Sequence, residues 1–363
     1  MSNYEIKVAD DRDGAAWDDY VLQHPLASQC HLFGWRNVLR AAYGKTVDYL
    51  MLRQAGGRVA GVLPLVRFRH PLFGNEFASM PFMDGGGVLA DSADAERRLV
   101  ARADALAMES GADGLELRCE HPLACFEQPQ WLLELGQGRP PVLSRKSTKV
   151  RMVLELPASA ELLLKGFKSK LRSQISKPIK AGCTVRIGGL DLLEDFYRVF
   201  LVNMRDLGSP VHSIGMIRET VAQFSERTAV LVVYHEGAPA AGAVVTGFRD
   251  LLKNPWASSD RRYASQSPNM LLYLRMLEWA CDNGYRRFDF GRSTVGEGTY
   301  RFKEQWGALP EPLHWYRIAR DGVPEDADAS ESRLFNLAAQ YWKKLPLKVT
   351  AGLGPRIRKH ISL

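Results

Sequence analysis

The alternation of apolar and polar positions divides the chain into two runs of similar plan. The first reads as a strand at Tyr4–Val8, helices near Ala15–Gln23 and Gly34–Ala42, and a hairpin over Val47–Arg69. A strand near Glu76–Pro81 leads into M-D-G-G-G (Met83–Gly87). Then come a helical stretch ending near Ser110, a strand at Gly114–Cys119 and further strands to Glu155. The second run opens with a helix over Ala160–Ala181. It continues with a strand at Thr184–Ile187, helices to Leu207 and from Ile214, and a hairpin from Thr228. A strand to Ser259, a helix from Asn269 and a strand at Arg287–Phe290 follow. Hairpins followed by one helix-linked strand predict mixed sheets of the α/β (α+β) class, not a doubly wound parallel sheet.

The two runs align. S-G-A-D-G-L-E-L-R from Ser110 matches N-G-Y-R-R-F-D-F-G from Asn283, which sets Gly111 on Gly284 and Glu116 on Asp289. A helical pattern precedes each glycine, which then ends the helix. Upstream, with a one-residue gap, V-D-Y-L-M-L-R-Q-A-G-G-R-V-A-G-V-L-P-L-V matches T-A-V-L-V-V-Y-H-E-G-A-P-A-A-G-A-V-V-T-G. The chain therefore reads as one α/β module used twice, residues 1–155 and 156–325, followed by a tail, 326–363.

Composition narrows the class. Apolar residues make up 46% and charged residues 25%, as in globular proteins with real cores. The five cysteines form no C-x-x-C pair, so neither a zinc site nor a disulfide framework is expected, and a reducing cytoplasm fits. The eight histidines show no metal spacing, and neither a signal region nor a membrane-spanning run stands out. The net charge of +7 equals the seven basic residues that follow Glu331, a stretch without acids. The high pI thus describes a tail and not a DNA-binding domain.

The richest stretch is D-F-G-R-S-T-V-G-E-G-T-Y-R-F-K-E-Q-W-G (Asp289–Gly307). A strand end opening into a glycine-bearing loop is where α/β proteins present polar groups to ligands. Asp289, Arg292, Ser293 and Lys303 gather there beside Tyr300, Phe302 and Trp306. A second candidate is the helix at Leu162–Lys180. Its apolar stripe is Leu164, Phe167, Leu171 and Ile175, and Lys165, Lys168 and Arg172 share another face. That face suits a diphosphate or a tRNA backbone, or it is a solvated surface. No G-x-S-x-G or Cys–His pair suggests a covalent nucleophile.

Five motifs in order carry a resemblance: F-G-W-R-N-V-L-R-A-A-Y-G, F-A-S-M-P-F-M-D-G-G-G, F-K-S-K-L-R-S-Q-I-S-K-P-I-K-A-G, N-M-R-D-L-G-S-P-V and G-T-Y-R-F-K-E-Q-W-G. Together they resemble the FemAB family, tandem GNAT-like acyltransferases, and most of all its members found with exosortase/PEP-CTERM exopolysaccharide systems. The resemblance implies transfer of an aminoacyl or acyl group from aminoacyl-tRNA or acyl-CoA, with no tightly bound cofactor. The acceptor would be an amine or hydroxyl of a cell-envelope glycan or peptide precursor. A binding protein that has lost catalysis is the alternative.

The resemblance implies roles for Lys303, the Met83–Gly87 loop and Trp256, and the residues themselves suggest roles for Asp289 and Asp206. Lys303, after Phe302, would stabilise the oxyanion of acyl transfer; otherwise it is a surface lysine on a helix packed by Phe302 and Trp306. Asp289 would take the acceptor's proton, or pair with Arg292 or Arg287. An acceptor groove near Met83–Gly87 would be lined by Tyr43, Phe82 and Asp84. Asp206, with Arg205, would border a cleft, and Trp256 would end the strand that holds the donor. The R/Q-x-x-G-x-G/A turn of CoA-using GNAT proteins is replaced by R-R-Y-A-S-Q-S-P-N-M, without its glycines, which weighs against CoA.

In the tail, Leu334, Phe335, Leu337, Ala338, Tyr341, Trp342 and Leu345 fall on one helical stripe with Lys343 and Lys344 near its end. That pattern fits peripheral contact with the inner membrane face, a grip on tRNA, or a docked terminal helix.

Overall fold

The computed structural model describes residues 4–70, 74–127, 129–131, 142–146, 149–319 and 336–362. In chain order the strands are β1 (Tyr4–Val8), β2 (Leu50–Gln54), β3 (Val59–Leu63), β4 (Leu65–His70), β5 (Gly74–Ser79), β6 (Leu89–Ala90), β7 (Gly114–Cys119) and β8 (Val142–Lys146). They continue with β9 (Lys149–Glu155), β10 (Thr184–Gly188), β11 (Thr228–His235), β12 (Ala238–Phe248), β13 (Leu251–Ser259), β14 (Arg287–Thr294), β15 (Leu309–Pro312) and β16 (His314–Ala319). The helices are α1 (Gly14–Gln23), α2 (Gly34–Tyr43), α3 (Ala93–Glu109), α4 (Ala160–Gly166), α5 (Ser169–Lys180) and α6 (Leu193–Leu207). After them come α7 (Ile214–Gln223), α8 (Pro268–Asp282), α9 (Gly298–Glu304), α10 (336–342) and α11 (Leu347–Arg358).

Two compact units result. Unit 1 is 1–148 with 312–332 and 359–363; unit 2 is 149–311 with 333–358. This differs from the sequential boundaries at 155 and 325. The physical reason is strand pairing: β9 lies antiparallel to β14 in unit 2, whereas β16 lies between β7 and β8 in unit 1. Each sheet is completed by a strand that sequence order assigns elsewhere.

Unit 1 has two mixed or antiparallel sheets, β1-β2-β3-β6 and β4-β5-β7-β16-β8. The expected hairpin over Val47–Arg69 forms, but its second arm breaks at Pro64 and its two halves enter different sheets. Proline has no N–H for a ladder, so the strand cannot run on through it. Unit 2 keeps a single sheet, β10-β11-β12-β13-β14-β9-β15.

The repeat is visible in the sheets. In unit 1 the parallel pair β5/β7 matches Glu76–Ala78 with Gly114–Glu116. In unit 2 the parallel pair β13/β14 matches Leu251–Lys253 with Arg287–Asp289. Glu116 and Asp289 thus occupy the same rung, as the sequence alignment requires. One helix feeds each ladder: α3 buries Leu99, Val100, Ala103 and Ala107, and α8 buries Leu271, Leu272, Leu274, Met276 and Leu277. Gly111 (φ +62°) and Gly284 (φ +79°) close these helices in the left-handed region, where a Cβ is disfavoured.

One expectation is corrected here. The helix over Ala160–Ala181 is broken. α4 ends at Gly166, Phe167 is extended (ψ 139°), and α5 starts after Lys168. Phe167 is buried and meets the Trp306 ring edge-on at 5.5 Å. Burying a Phe is worth about 1.5–3 kcal/mol, more than the about 1 kcal/mol of one helical residue near a glycine, so packing wins. In the tail, α11 takes the expected form of a docked terminal helix. Thr350 and Gly354 of α11 are buried, and a Cβ on Gly354 would fall 2.9 Å from Val211. Leu334 and Phe335 of the predicted stripe, and the basic Arg333 before it, lie outside the described residues. Of the rest, Leu337 and Tyr341 are exposed while Trp342 and Leu345 are half-buried.

Candidate active site

The parallel ladder of unit 2 stops at Lys253–Asp289, although both strands continue, β13 to Ser259 and β14 to Thr294. On its outer side each strand slips by one residue at this level. Asn254 and Pro255 together oppose Val245 of β12; Phe290 and Gly291 together oppose Met152 of β9. These are bulges, which end pairing and re-aim side chains. Pro255 withholds an N–H, and Gly291 adopts φ +80°.

Three side chains hold the β14 bulge. Asp289 is fully buried and its Oδ1 accepts a hydrogen bond from the Gly291 amide at 2.7 Å. Lys253, on the neighbouring strand, brings its Nζ to 3.5 Å from Asp289 Oδ2. Lys303, on α9, is buried, and its Nζ donates to the carbonyls of Gly291 (2.9 Å) and Arg292 (2.8 Å). Lys303 and Asp289 therefore meet at one residue, one binding its carbonyl and the other its amide. The surface-lysine reading of Lys303 is corrected: Phe302 and Trp306 pack α9 so that its ammonium turns inward. The expected pairing of Asp289 with Arg287 or Arg292 is also corrected, since Arg287 binds Asp250 (3.0 Å) and the acid's ion-pair partner is Lys253.

An aromatic group flanks the bulge on the α8 face. Tyr273 stacks on Phe290 (5.5 Å) and meets Phe302 edge-on (5.0 Å) and Trp306 tilted (6.1 Å). Asn254 Nδ2 donates to the Tyr273 hydroxyl at 3.4 Å. Burial pushes that phenol up to about 12, against the pull of Asn254, so it is a neutral group at physiological pH. Asn254 Oδ1, Ser293 Oγ and Trp306 Nε1 are buried without a hydrogen-bond partner among the described residues. Ser293 stands opposite Val150, a core residue, which puts it on this same face. Buried polar atoms left unmatched are uncommon and ask for a bound group or a chemical role.

The other predicted residues are distributed more widely. Tyr300 and Phe302 pack on the unit 2 core, and Arg292 supplies a carbonyl to Lys303. Trp256 contacts His212 (6.1 Å), and Ser258, two residues on, is held by Asn203 of α6, so Trp256 lies on the face opposite Tyr273. Asp206 accepts from the guanidinium of Arg205 next to it (2.7 Å) at the end of α6. The shared basic face of residues 165, 168 and 172 is corrected by the helix break: Lys165 on α4 pairs with Glu161 (2.5 Å), and Lys168 and Arg172 remain exposed, one turn apart at the start of α5.

In unit 1, Tyr43 and Phe82 do meet (5.4 Å), and the Asp84 carbonyl accepts from Trp315 Nε1 at 3.1 Å. The glycines beyond Asp84 are needed by the protein's own packing. A Cβ on Gly85 would meet Glu120 at 2.5 Å, and one on Gly87 would meet Cys119 Sγ at 2.3 Å. Lys253, Asn254 and Tyr273 escaped the sequence reading. The available signal was L-L-K-N-P-W, a lysine inside an apolar strand just before a proline. Among the described residues no cluster of His, Cys, Asp or Glu could hold a metal ion.

Comparison with known proteins bears on the fold. Residues 165–304 match the model of an acetyltransferase (GNAT) domain. No curated protein matches the sequence. Among solved structures, FemX superposes with a TM-score of 0.64 at 15% identity, over 93% of this chain and 100% of its own. A tandem GNAT protein from the clavulanic acid biosynthesis pathway gives 0.54 at 17% identity, over 89% and 100%. The C-terminal domain of a putative lysylphosphatidylglycerol synthetase from Agrobacterium fabrum gives 0.54 at 14% identity, over 92% and 97%. The chain thus has the fold of tandem GNAT-like proteins, and its acetyltransferase-domain match falls on the unit that carries the bulged strands and Lys303.

Proposed function

We propose that this protein is an acyltransferase of the FemAB/GNAT type. It moves an aminoacyl or acyl group onto an amine or hydroxyl of a cell-envelope glycan or peptide precursor, in the setting of exopolysaccharide assembly. The observation that carries this reading is the buried ammonium of Lys303 at the point where β13 and β14 part, inside the segment matching an acetyltransferase domain. Acyl transfer builds negative charge on a carbonyl oxygen, and a fixed cation in a water-poor place stabilises that charge without reorganising. Asp289 is the weaker candidate as base, because it is committed to the Gly291 amide and to Lys253. Phe302, Tyr300 and Arg292 frame the donor's acyl group, Trp256 supports the strand from its far face, and Lys168 and Arg172 contact phosphate.

The donor reading favours a charged tRNA over acyl-CoA. Residues 261–266 form a 3-10 turn, and the non-glycine Ser267 (φ +57°) stands before α8 where a glycine-rich phosphate turn would be needed. Asp84 in unit 1 and Asp206 in unit 2 are each read as substrate-binding residues. The exposed Leu337 and Tyr341, with exposed Lys343, Lys344 and Lys348, suit peripheral contact with the cytoplasmic membrane face or with tRNA. No described helix is long and apolar enough to cross a membrane.

A second reading has its own support. Lys303 is already bound to two backbone carbonyls, which is what a structural clamp in a non-catalytic binding protein of an envelope assembly system would do. Incubation with labelled charged-tRNA and acyl-CoA pools plus envelope extracts, followed by mass analysis, separates the readings. A precursor gaining the mass of an amino acid or an acyl group supports transfer. Precursor retention with no mass gain supports the binding protein.

A further inference from the structure

α10 and α11 dock on unit 2 through small residues. A Cβ on Gly208, which closes α6, would fall 2.7 Å from the Ala339 carbonyl, and one on Gly354 would fall 2.9 Å from Val211. Thr350, one turn before Gly354, is buried, and Arg358 Nε donates to His212 Nε2 at 3.1 Å. One face of each helix is thereby committed to unit 2.

The opposite faces are exposed and repeat one pattern. On α10, Leu337 (51% exposed) and Tyr341 (70%) stand one turn apart, and the exposed Lys344 follows after almost another turn. On α11, Val349 (39%) and Leu353 (42%) stand one turn apart, with Lys348 and Arg356 exposed beside them. Single exposed apolar residues are ordinary on a protein surface. Two such i, i+4 pairs in one short stretch are not scattered, and each is set among cations. No acidic residue follows Glu331, so this stretch holds nothing to offset its charge.

α5, also a basic helix of unit 2, makes the contrast. Its exposed Lys170, Arg172, Lys177 and Lys180 come with one exposed large apolar residue, Ile179. Cations alone suit phosphates in water. Cations interleaved with aliphatic and aromatic groups suit a surface with phosphates outside and hydrocarbon beneath. There the lysine and arginine stems lie along the apolar layer while their heads reach the phosphates. RNA has no such layer for Val349 and Leu353.

We propose that the outer faces of α10 and α11 bind an anionic lipid bilayer. Leu337, Tyr341, Val349 and Leu353 enter the headgroup layer, and Lys344, Lys348 and Arg356 meet lipid phosphates. This binding rests on the reading of the tail as a peripheral contact, and it names lipid, not tRNA, as the partner. One weak signal gives only marginal attachment, so the apolar pairs and the cations are both needed. The contact keeps unit 2, which carries Lys303, at the bilayer surface.

The test is flotation of the full chain with vesicles of phosphatidylcholine alone, or of phosphatidylcholine and phosphatidylglycerol in equal parts. No donor or acceptor is present, so vesicle binding can fail while group transfer stands, and the reverse. The chain should bind the anionic vesicles at least about tenfold more tightly than the neutral ones, and high salt should shrink the difference. Tyr341→Ser with Leu353→Ser keeps every charge and should weaken binding about tenfold. Lys344→Gln with Lys348→Gln keeps every apolar group and should weaken it about 20- to 30-fold, about fivefold per cation. All four positions are exposed, so both variants should melt as the parent does. Absence of flotation, equal binding to the two vesicles, or binding unchanged in either variant would overturn the proposal. So would retention of tRNA that the lysine variant loses while vesicles are ignored, which would give the tail to RNA.

Discussion

The two parallel ladders, Glu76–Ala78 with Gly114–Glu116 and Leu251–Lys253 with Arg287–Asp289, are the same device put to different ends. In unit 2 both strands bulge where they part, and an ion pair, a buried lysine and an aromatic group surround the gap in pairing. Unit 1 has alanine in place of Lys253, and its acid binds Arg118, which turns to Ser362. Around its rung, unit 2 leaves buried polar atoms of Asn254 and Ser293 unmatched among the described residues, whereas Arg118 beside the unit 1 rung is matched by Glu116 and Ser362. The lesson is that duplication preserves the rung and lets the groups around it diverge, and the unmatched copy is where chemistry is expected.

The largest effect that would break this comparison comes from the ion pair. Asp289→Ala leaves the Lys253 ammonium buried without its carboxylate, and should destabilise the fold by about 3–5 kcal/mol. Glu116→Ala in unit 1 should be milder, about 1–2 kcal/mol, because Glu116 is partly exposed and Arg118 keeps Ser362 and Trp315. Urea unfolding of both variants measures the gap, and equal losses would erase the distinction between the two rungs.

Acid should act on both units in the same direction. In unit 1, burial holds the His31 imidazole down at about 4, against the pull of Glu120. The unfolded chain binds its proton first as pH falls below about 6.5. The stability contributed by neutral His31 is full above that value and lost on the way to about 4, about 3 kcal/mol in all. His212 in unit 2 is lowered well below its ordinary value by burial and by Arg358, so its contribution has the same sign. Replacing His31 with Gln should flatten the difference in urea stability between pH 7.5 and 4.5; an unchanged slope would remove His31 from the account.

Glycine substitutions give the smaller effects. Gly87→Ala puts a methyl group against Cys119 Sγ and should cost about 1–3 kcal/mol. Gly291→Ala meets only the Asn254 carbonyl at 3.6 Å and suffers from its φ alone, about 1 kcal/mol. Thermal melts rank the two, and a reversed order would mean that the bulge is packed more tightly than the Met83–Gly87 loop.

Much of this was legible in the sequence. The alignment of Gly111 with Gly284 placed Glu116 and Asp289 on equivalent rungs, because helix ends and strand alternation are local properties of the chain. Lys303 was visible through its motif, and Asp289 through its place between two phenylalanines. What could not be read was non-local. Phe167 continues the helical spacing of Leu164 and Leu171, so only its burial against Trp306 reveals the break. Lys253 looks like an outward position until its neighbour across the ladder is known. The crossing of β9 and β16 between the sequential halves depends on pairing over long separations. The pairing of Ser362 with Arg118 joins residues far apart in sequence.

The most direct test is the rate of group transfer to envelope precursors by the Lys303→Met variant, read by product mass, with folding checked by melting. The account predicts a loss of about 10²- to 10³-fold in rate in a chain that still retains precursor, and partial recovery in Lys303→Arg. Turnover by a folded Lys303→Met chain equal to that of the parent would contradict it.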